Sequence, residues 1–443
     1  MFAHSKGENQ KTTKLDRIGK LAATQKDIVF NNIGHAIDLE LLRECYRQLD
    51  GNKAVGIDGV TKEAYGKKLE ENLQNLLATV RRGAYKPQAA RVVEIPKEDG
   101  STRPLAISCF EDKIIQMSTT AILNLIYEPL FLPSSYGYRE GISPHNALRA
   151  LMAYSNQNTN GATVEIDLRK YFNSIPHSVL MEILEKKISD KRFLKLIETL
   201  IRTPTMAKGK AIINTRGCPQ GSIISAILSN VYLHYVIDDW FERIKKTHMR
   251  GRAEEVRFCD DMVFVFQNEM DAERFYKALP KRLEKFGLEM HDGKSSLILS
   301  GGKAAEEANK RGERLPTYNF LGFICYWGQS RNGRWRLKFK SRPDRMRAKL
   351  NGLRKHLKES LNQKTQTVMK RVNRIVKGWT NYYAISDNQR RVMSFITTCK
   401  HELFRWRNRK GGQRRLNWKQ FSVILKIAKF PESFKTTSMF VTC

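Results

Sequence analysis

The sequence predicts an α+β fold, with antiparallel hairpins and amphipathic helices through the first three quarters and a largely helical C-terminal quarter. Three observations carry that prediction. Alternating apolar runs close on turn residues at 91–107, 205–216, 256–266 and 330–340, which is the hairpin pattern. Between them, apolar residues recur at intervals of three and four, the spacing that builds one buried helix face. Beyond residue 342 that helical spacing dominates.

A chain of 443 residues can bury a sizeable core and, by size, divides into two or three domains. Its formal charge of +33 asks for a polyanionic partner, and nucleic acid is the first choice. The charge is unevenly spread. Residues 331–443 hold 30 Lys and Arg against 5 Asp and Glu, so the C-terminal quarter is the expected grip on phosphates. A merely solvated charged face would not be so one-sided. Seven cysteines (45, 109, 218, 259, 325, 399 and 443) are scattered without a CxxC pair, which speaks against a zinc site or a disulfide framework. No signal peptide and no apolar run of membrane-spanning length stands out. A reducing, cytoplasmic setting with no membrane partner is therefore expected.

Along the chain, residues 1–30 are polar and Lys-rich, a flexible or nucleic-acid-facing lead-in. Leu41, Leu42, Tyr46 and Leu49 predict a helix over 36–50, stopped at Gly51. Gly56, Asp58 and Gly59 mark a turn, and 62–82 reads as one amphipathic helix. Arg91–Ile95 and Thr102–Ile107 pair as strands around Glu98-Asp99-Gly100. Lys97 and Arg103 flank that tip. Two cations there suit a triphosphate, and solvated tip charges explain the hairpin equally well. Residues 110–130 form a helix, and a loop leads into another near Pro144.

Residues 177–203 are again helical. Gly217, Pro219 and Gly221 shape a loop from which Ser222 or Ser225 opens an apolar helix. Gln220 in that loop either touches a base pair or nucleotide or serves only to start the helix. A helix is expected over 270–287, a turn over Met290–Lys294, a strand over Leu297–Leu299 and a polar loop over 300–316. YNFLGF reads as one strand. The helices beyond 342 should break near KGWTNYY and at Gly411-Gly412. Within them, several of Trp379, Tyr382, Tyr383, Phe404 and Trp406 are expected to be bundle core rather than stacking platforms.

The stretch richest in chemistry is Val256–Phe266, VRFCDDMVFVF, where Asp260 and Asp261 interrupt a β-branched and aromatic run. Acids in such a run are costly unless paired or bound to metal; the bland reading is a surface Asp-Asp turn. A third acid, Asp167, follows the short alternating strand of TVEIDLRKYF. Two strand-borne acids of this kind can hold two divalent ions about 3.5–4 Å apart for an in-line phosphoryl displacement.

With those residues in place, the chain resembles the reverse transcriptases of bacterial group II introns from about residue 36 to about 435. AVGIDGVT, IPKEDGSTRPLAIS, SYGYREG, EIDLRKYFNSIPH, CPQGSIISAILSNVYL, RFCDDMVF, GKSSLIL, YNFLGF and GWTNYY occur in that family's order. The resemblance implies a right-hand polymerase fold in a prokaryotic cytoplasm. Its parts would be an N-terminal extension over 1–50, fingers over 51–160, a palm with the acids over 161–330, and a basic helical thumb, or maturase-like domain, over 331–443. It implies an RNA-directed DNA polymerase using two Mg²⁺ ions, with Mn²⁺ as the alternative ion. The partners would be a structured RNA template, a DNA or RNA primer, and dNTPs.

Carried over residue by residue, Asp167 and Asp260 look like the metal-bridging carboxylates. Asp261 is the second acid, less directly bound, and the Leu168 carbonyl completes the metal site. Phe172 resembles the steric gate against a ribose 2′-OH. Lys97 and Arg103 resemble the fingertip cations on the β- and γ-phosphates. Gln220 resembles the residue that touches the incoming nucleotide, and Lys294 the lysine that assists the leaving pyrophosphate. Phe320, Leu321 and Gly322 resemble the primer grip.

Three positions depart from the family pattern. Cys259 stands where an alanine is usual, Ser222 where a second glycine is, and Ser295 where a threonine is. Cys259 reads as a small apolar neighbour of the site rather than a redox group. The paired-cysteine nuclease domain of many intron proteins is not seen. Two biologies fit: a standalone, defence-associated enzyme copying a cognate noncoding RNA, and an intron-encoded maturase that splices and reverse-transcribes its own intron. A reading of a different class is a splicing factor acting mainly by binding RNA; the three acids argue against it.

Overall fold

The period-two runs form eleven strands in three sheets among residues 13–96, 102–207, 210–410 and 415–440, which the computed structural model describes. In chain order they are β1 (Ala90–Pro96), β2 (Thr102–Ile107), β3 (Gly161–Ile166), β4 (Thr205–Ala207), β5 (Lys210–Ile212), β6 (Ala253–Phe258), β7 (Asp261–Phe266), β8 (Ser296–Ser300), β9 (Tyr318–Phe320), β10 (Phe323–Gln329) and β11 (Trp335–Ser341). The sheets have the orders β2-β1-β4-β5, β6-β7-β3-β8 and β11-β10-β9. The hairpins expected over 91–107, 205–216 and 256–266 are antiparallel, and β1 also pairs with β4 in parallel; the span 330–340 holds only a turn and most of β11, whose antiparallel partner is the preceding β10.

The chain forms two compact units, one of Met1–Ala147 and Thr163–Leu297, the other of Leu148–Ala162 and Ile298–Cys443. In the first, burial of Val256, Val263, Phe264 and Phe266 anchors β6 and β7, and Phe264 and Phe266 pack on Phe241 and Phe275. In the second, the helices Pro343–Glu359, Thr365–Tyr383 and Gln389–Lys410 bury Leu353, Val372, Val376, Phe395 and Cys399. Trp379, Tyr383 and Trp406 are buried with them, as expected of core rings. Cations such as Arg345, Lys349, Lys355, Lys370 and Arg374 stay on the exposed faces.

Several segments differ from the sequence expectation, each for a local reason. Lys14–Thr24 is a helix rather than lead-in, because Thr13 and Asp16 form a capping box and Ile18 and Ala22 are buried. The span 62–82 is two helices, Lys62–Gly66 and Leu69–Arg81. The Asn72 side-chain amide donates to the Tyr65 carbonyl at 2.9 Å where the first one stops. The span 177–203 is also two, His177–Glu185 and Lys191–Ile201, because Asp190 accepts from the Arg192 and Phe193 amides and starts a new helix. Within 300–316, Gly302–Lys310 is a helix whose buried stripe is only Ala305 and Ala308, too small to register as periodicity.

YNFLGF is two strands, not one. Phe320 pairs with Phe323 across Leu321 and Gly322, whose φ values of 49° and 76° are the two positive angles of a tight hairpin turn. KGWTNYY lies inside the helix Thr365–Tyr383, and the break comes after it, at Ala384–Asn388. Gly411-Gly412 fall outside the described residues. Among the described residues, no helix is long and apolar enough to cross a membrane.

Candidate active site

Only Cys259 and Asp260 join β6 to β7, with Phe258 opposite Asp261. Cys259 has φ 58°, a conformation that costs any residue with a Cβ about 1–2 kcal/mol. Gly137 presses against it. A Cβ on Gly137 would lie 2.5 Å from Cys259 Sγ and closer still to its amide nitrogen, so only glycine fits there.

Behind the turn, Arg257 is fully buried and all five of its donors are used. Nε and Nη2 bind the two oxygens of Asp238 at 2.6 Å each. Nη1 donates to Asn230 Oδ1 at 3.0 Å and to the Cys259 carbonyl at 3.2 Å, and Nη2 also donates to Ser135 Oγ at 2.6 Å. Asp238 reaches inward because the helix Ile223–Leu233 loosens into a π turn over His234–Asp238 before Asp239–His248. Glu255 is buried beside it. Burial, then the Asp238 charge, push the Glu255 carboxyl well above the ordinary carboxylate range. Ser134 Oγ donates to Glu255 Oε2 at 2.9 Å. Arg257 and Asp238 make the ion pair of this buried set, and burial beside Asp238 favours the uncharged form of Glu255. The sequence reading missed this group. Its signal was the alternation of Glu255 and Arg257, two charged residues on one face of a strand that runs into the apolar hairpin.

Asp167 follows β3, the neighbour of β7 in the sheet. Its carbonyl accepts from His291 N–H at 2.8 Å, and its own N–H donates to Ser295 Oγ at 3.1 Å. Leu168 forms a bridge with Met290. These bonds bring the GKSS turn against the acid, and Lys294 Nζ lies 3.4 Å from Asp167 Oδ2. Burial, and beyond it the Asp167 carboxylate, raise the Asp260 carboxyl, so each acid lies in the other's field. Asp261 is exposed. Among the described residues, no three His, Cys, Asp or Glu side chains gather closely enough to hold a metal by themselves. The donor set still suits Mg²⁺. That ion takes one or two carboxylates, and keeps waters and substrate phosphates for its other positions.

The CPQG loop ties the remaining candidates to this centre. Cys218 N–H donates to the Phe172 carbonyl at 2.7 Å, and Gly217 N–H to the Ile175 carbonyl at 2.7 Å. Tyr171 Oη donates to the Ser229 carbonyl at 2.7 Å, fixing the backbone next to Phe172. On its other side the loop meets β2, where Ala106 N–H donates to the Gln220 carbonyl at 2.7 Å. Among the described residues, Gln220 Oε1 is buried without a hydrogen-bond partner, an open acceptor at the loop. The apolar helix opens at Ser222, one of the two serines expected to begin it, and Gln116 Oε1 takes the Ile223 N–H at 3.0 Å. Arg103 is exposed on β2, opposite Ile95; Lys97 falls outside the described residues.

In the second unit, the Leu321-Gly322 turn packs on the GWTNYY motif. Tyr382 Oη donates to the Leu321 carbonyl at 2.9 Å, and the Phe323 ring stacks on Tyr382 with centroids 5.8 Å apart. Gly322 approaches Tyr383 so closely that a Cβ would stand 2.8 Å from the hydroxyl.

Residues 95–325, just over half of the chain, match the family described as reverse transcriptase (RNA-dependent DNA polymerase). The chain belongs to the reverse transcriptase family. The family expected from the motifs is the family found, and with it comes the right-hand polymerase fold followed by a helical region. Residues 344–421 match the group II intron, maturase-specific domain. Over 211 residues this reverse transcriptase-family chain is 33% identical to protein YkfC of Escherichia coli, covering 47% of the chain and 54% of the relative. Over 246 residues it is 30% identical to the group II intron-encoded protein LtrA of Lactococcus lactis subsp. cremoris, covering 55% and 40%. Over 237 residues it is 30% identical to an uncharacterized 91 kDa protein in the cob intron of Schizosaccharomyces pombe, covering 52% and 29%. The match thus spans between 29% and 54% of the length of these relatives.

Proposed function

We infer that the chain is an RNA-directed DNA polymerase that copies a structured RNA onto a DNA or RNA primer from dNTPs. The observation that carries this reading is the pair Asp167 and Asp260, set beside adjacent strands and within each other's electrostatic field. In this reading fingers occupy 51–160, palm 161–330 and thumb 331–443, after an N-terminal extension over 1–50. Asp167, Asp260 and the Leu168 carbonyl are the ligands for two Mg²⁺ ions, or Mn²⁺ in their place, with Asp261 held less directly. Such ions, when bound, activate a primer hydroxyl and offset charge on the leaving pyrophosphate.

The protein's own residues do the rest by positioning and charge. Lys294, now paired with Asp167, faces the leaving pyrophosphate. Arg103, with Lys97, meets the β- and γ-phosphates. Phe172 occupies the space of a ribose 2′-OH, and Gln220 offers its open acceptor to the incoming nucleotide. Phe320, Leu321 and Gly322 steady the primer. The maturase-specific match over 344–421 favours an intron-type RNA as template over a standalone noncoding RNA. Primer extension on an RNA template with dNTPs and Mg²⁺ tests the reading. Product that disappears on chelation is the expected result; no product across a range of Mg²⁺ and Mn²⁺ concentrations would overturn it.

The C-terminal cations are the proposed RNA clamp. If six to ten of them contact phosphates, affinity should fall roughly 10³–10⁵-fold between about 50 and 200 mM salt. The slope of log affinity against log salt is expected to flatten by about one for each exposed cation replaced, as in Lys355→Gln or Lys370→Gln. An unchanged slope in a variant with four such replacements would place the clamp elsewhere.

A further inference from the structure

The segment before the SYGYREG glycine runs along β6 as an added edge. Arg257 N–H donates to the Ser134 carbonyl at 2.9 Å, and Tyr136 N–H donates back to the Arg257 carbonyl at 2.8 Å. Asn230 Nδ2 then donates to the Gly137 carbonyl at 2.6 Å, where the segment meets the catalytic turn. The next residue, Tyr138, has φ 56°, a true outlier for a bulky aromatic residue. Its neighbours lock that conformation in place. Gly137 is pressed on Cys259, and Arg139 binds Glu128 at 2.8 Å and the carbonyls of Leu132 and Ser135 at 2.9 and 2.8 Å.

Burial does not explain the strain, because Tyr138 is 55% exposed. Gly137, the residue before it, lies against the Cys259 amide and Sγ, which holds the Tyr138 backbone beside the catalytic turn. Partial burial and the nearby Cys259 and Asp260 push the phenol to about 12, so it is a donor at neutral pH. Asp260 and Arg103 both lie near enough to act on it electrostatically. A strained, exposed ring held by its surroundings marks a functional contact.

We propose that Tyr138 forms one wall of the pocket for the base pair between template and incoming nucleotide. The proposal rests on the polymerase reading, in which Asp260 and Arg103, both near this ring, hold that nucleotide. An aromatic face packs against any base, so the contact is independent of sequence.

Steady-state primer extension on an RNA template, with equilibrium binding of the matched dNTP to the protein on a chain-terminated primer–template, tests this in Tyr138→Ala and Tyr138→Phe. Tyr138→Ala is expected to weaken dNTP binding and raise its KM about tenfold, the scale of one lost stacking contact. Duplex affinity and the thermal midpoint should stay at wild type. Tyr138→Phe, which keeps the ring, should stay within about twofold of wild type, since stacking needs only the aromatic face. Wild-type dNTP binding in Tyr138→Ala overturns the wall. A defect in Tyr138→Phe as large as that in Tyr138→Ala overturns it too, because the hydroxyl and not the ring would then make the contact. A lowered thermal midpoint with unchanged KM overturns it in favour of a purely structural role. A wild-type protein that binds the matched dNTP yet never extends the primer counts against the polymerase reading alone, since the binding measurement still decides the role of Tyr138.

Discussion

Replacing Asp260 and Asp261 together by alanine is expected to lower DNA synthesis by at least about 10³-fold, or about 4 kcal/mol of transition-state stabilisation. Binding to RNA should stay close to wild type. The two effects separate because the acids sit on the β6–β7 turn of the first unit, whereas the charge excess lies in residues 331–443. Nor should the double variant unfold more easily. Burial and the Asp167 carboxylate both disfavour the ionised Asp260, so its removal relieves strain held for function. The measurements are primer extension, equilibrium RNA binding and a thermal melt on the same preparation. Synthesis above a hundredth of the wild-type rate would remove these residues from the active site. A parallel collapse of RNA binding would mean that the acids shape the RNA surface instead.

How legible this site was in the sequence depended on how far apart its parts lie along the chain. The β6–β7 hairpin was readable because two apolar runs flank two acids with nothing else between them, and the strand before Asp167 because its alternation is local. The cap on Ile223 was not, because it comes from Gln116, more than a hundred residues upstream. YNFLGF looked like one strand because Leu321 is an ordinary strand residue; only its positive φ, held by the Tyr382 bond to its carbonyl, makes a turn of it. KGWTNYY looked like a break because Gly378 weakens a helix by about 1 kcal/mol. Burial of Trp379 and Tyr383 outweighs that loss. The support behind the catalytic turn was the least visible. Arg257, Asp238, Asn230 and Ser135 are far apart in sequence, and the π turn that aims Asp238 has no sequence signature.

That support carries the second large effect. Arg257→Met should destabilise the protein by about 3–5 kcal/mol, because it leaves the Asp238 carboxylate buried without its partner. It also strips the donor from Asn230 Oδ1 and from the Cys259 carbonyl, so the turn that aims Asp260 loosens with the fold. Adding Asp238→Leu to Arg257→Met should recover much of the loss, since an apolar pair often replaces a buried ion pair with little cost. Glu255 supplies the pH test. Its folded carboxyl titrates well above its unfolded value of about 4.3. The native state therefore holds a proton that the unfolded chain releases, and the stability this proton contributes is complete below about pH 4.3 and declines as pH rises towards the folded value. Glu255→Gln keeps the size of the side chain and cannot ionise, so it should flatten that decline while changing stability at low pH by less than about 1 kcal/mol. Denaturant melts of the four proteins from about pH 4 to pH 8 decide the matter. If Arg257→Met melts like wild type, or if Glu255→Gln keeps the wild-type slope, the buried network is not what holds the catalytic turn.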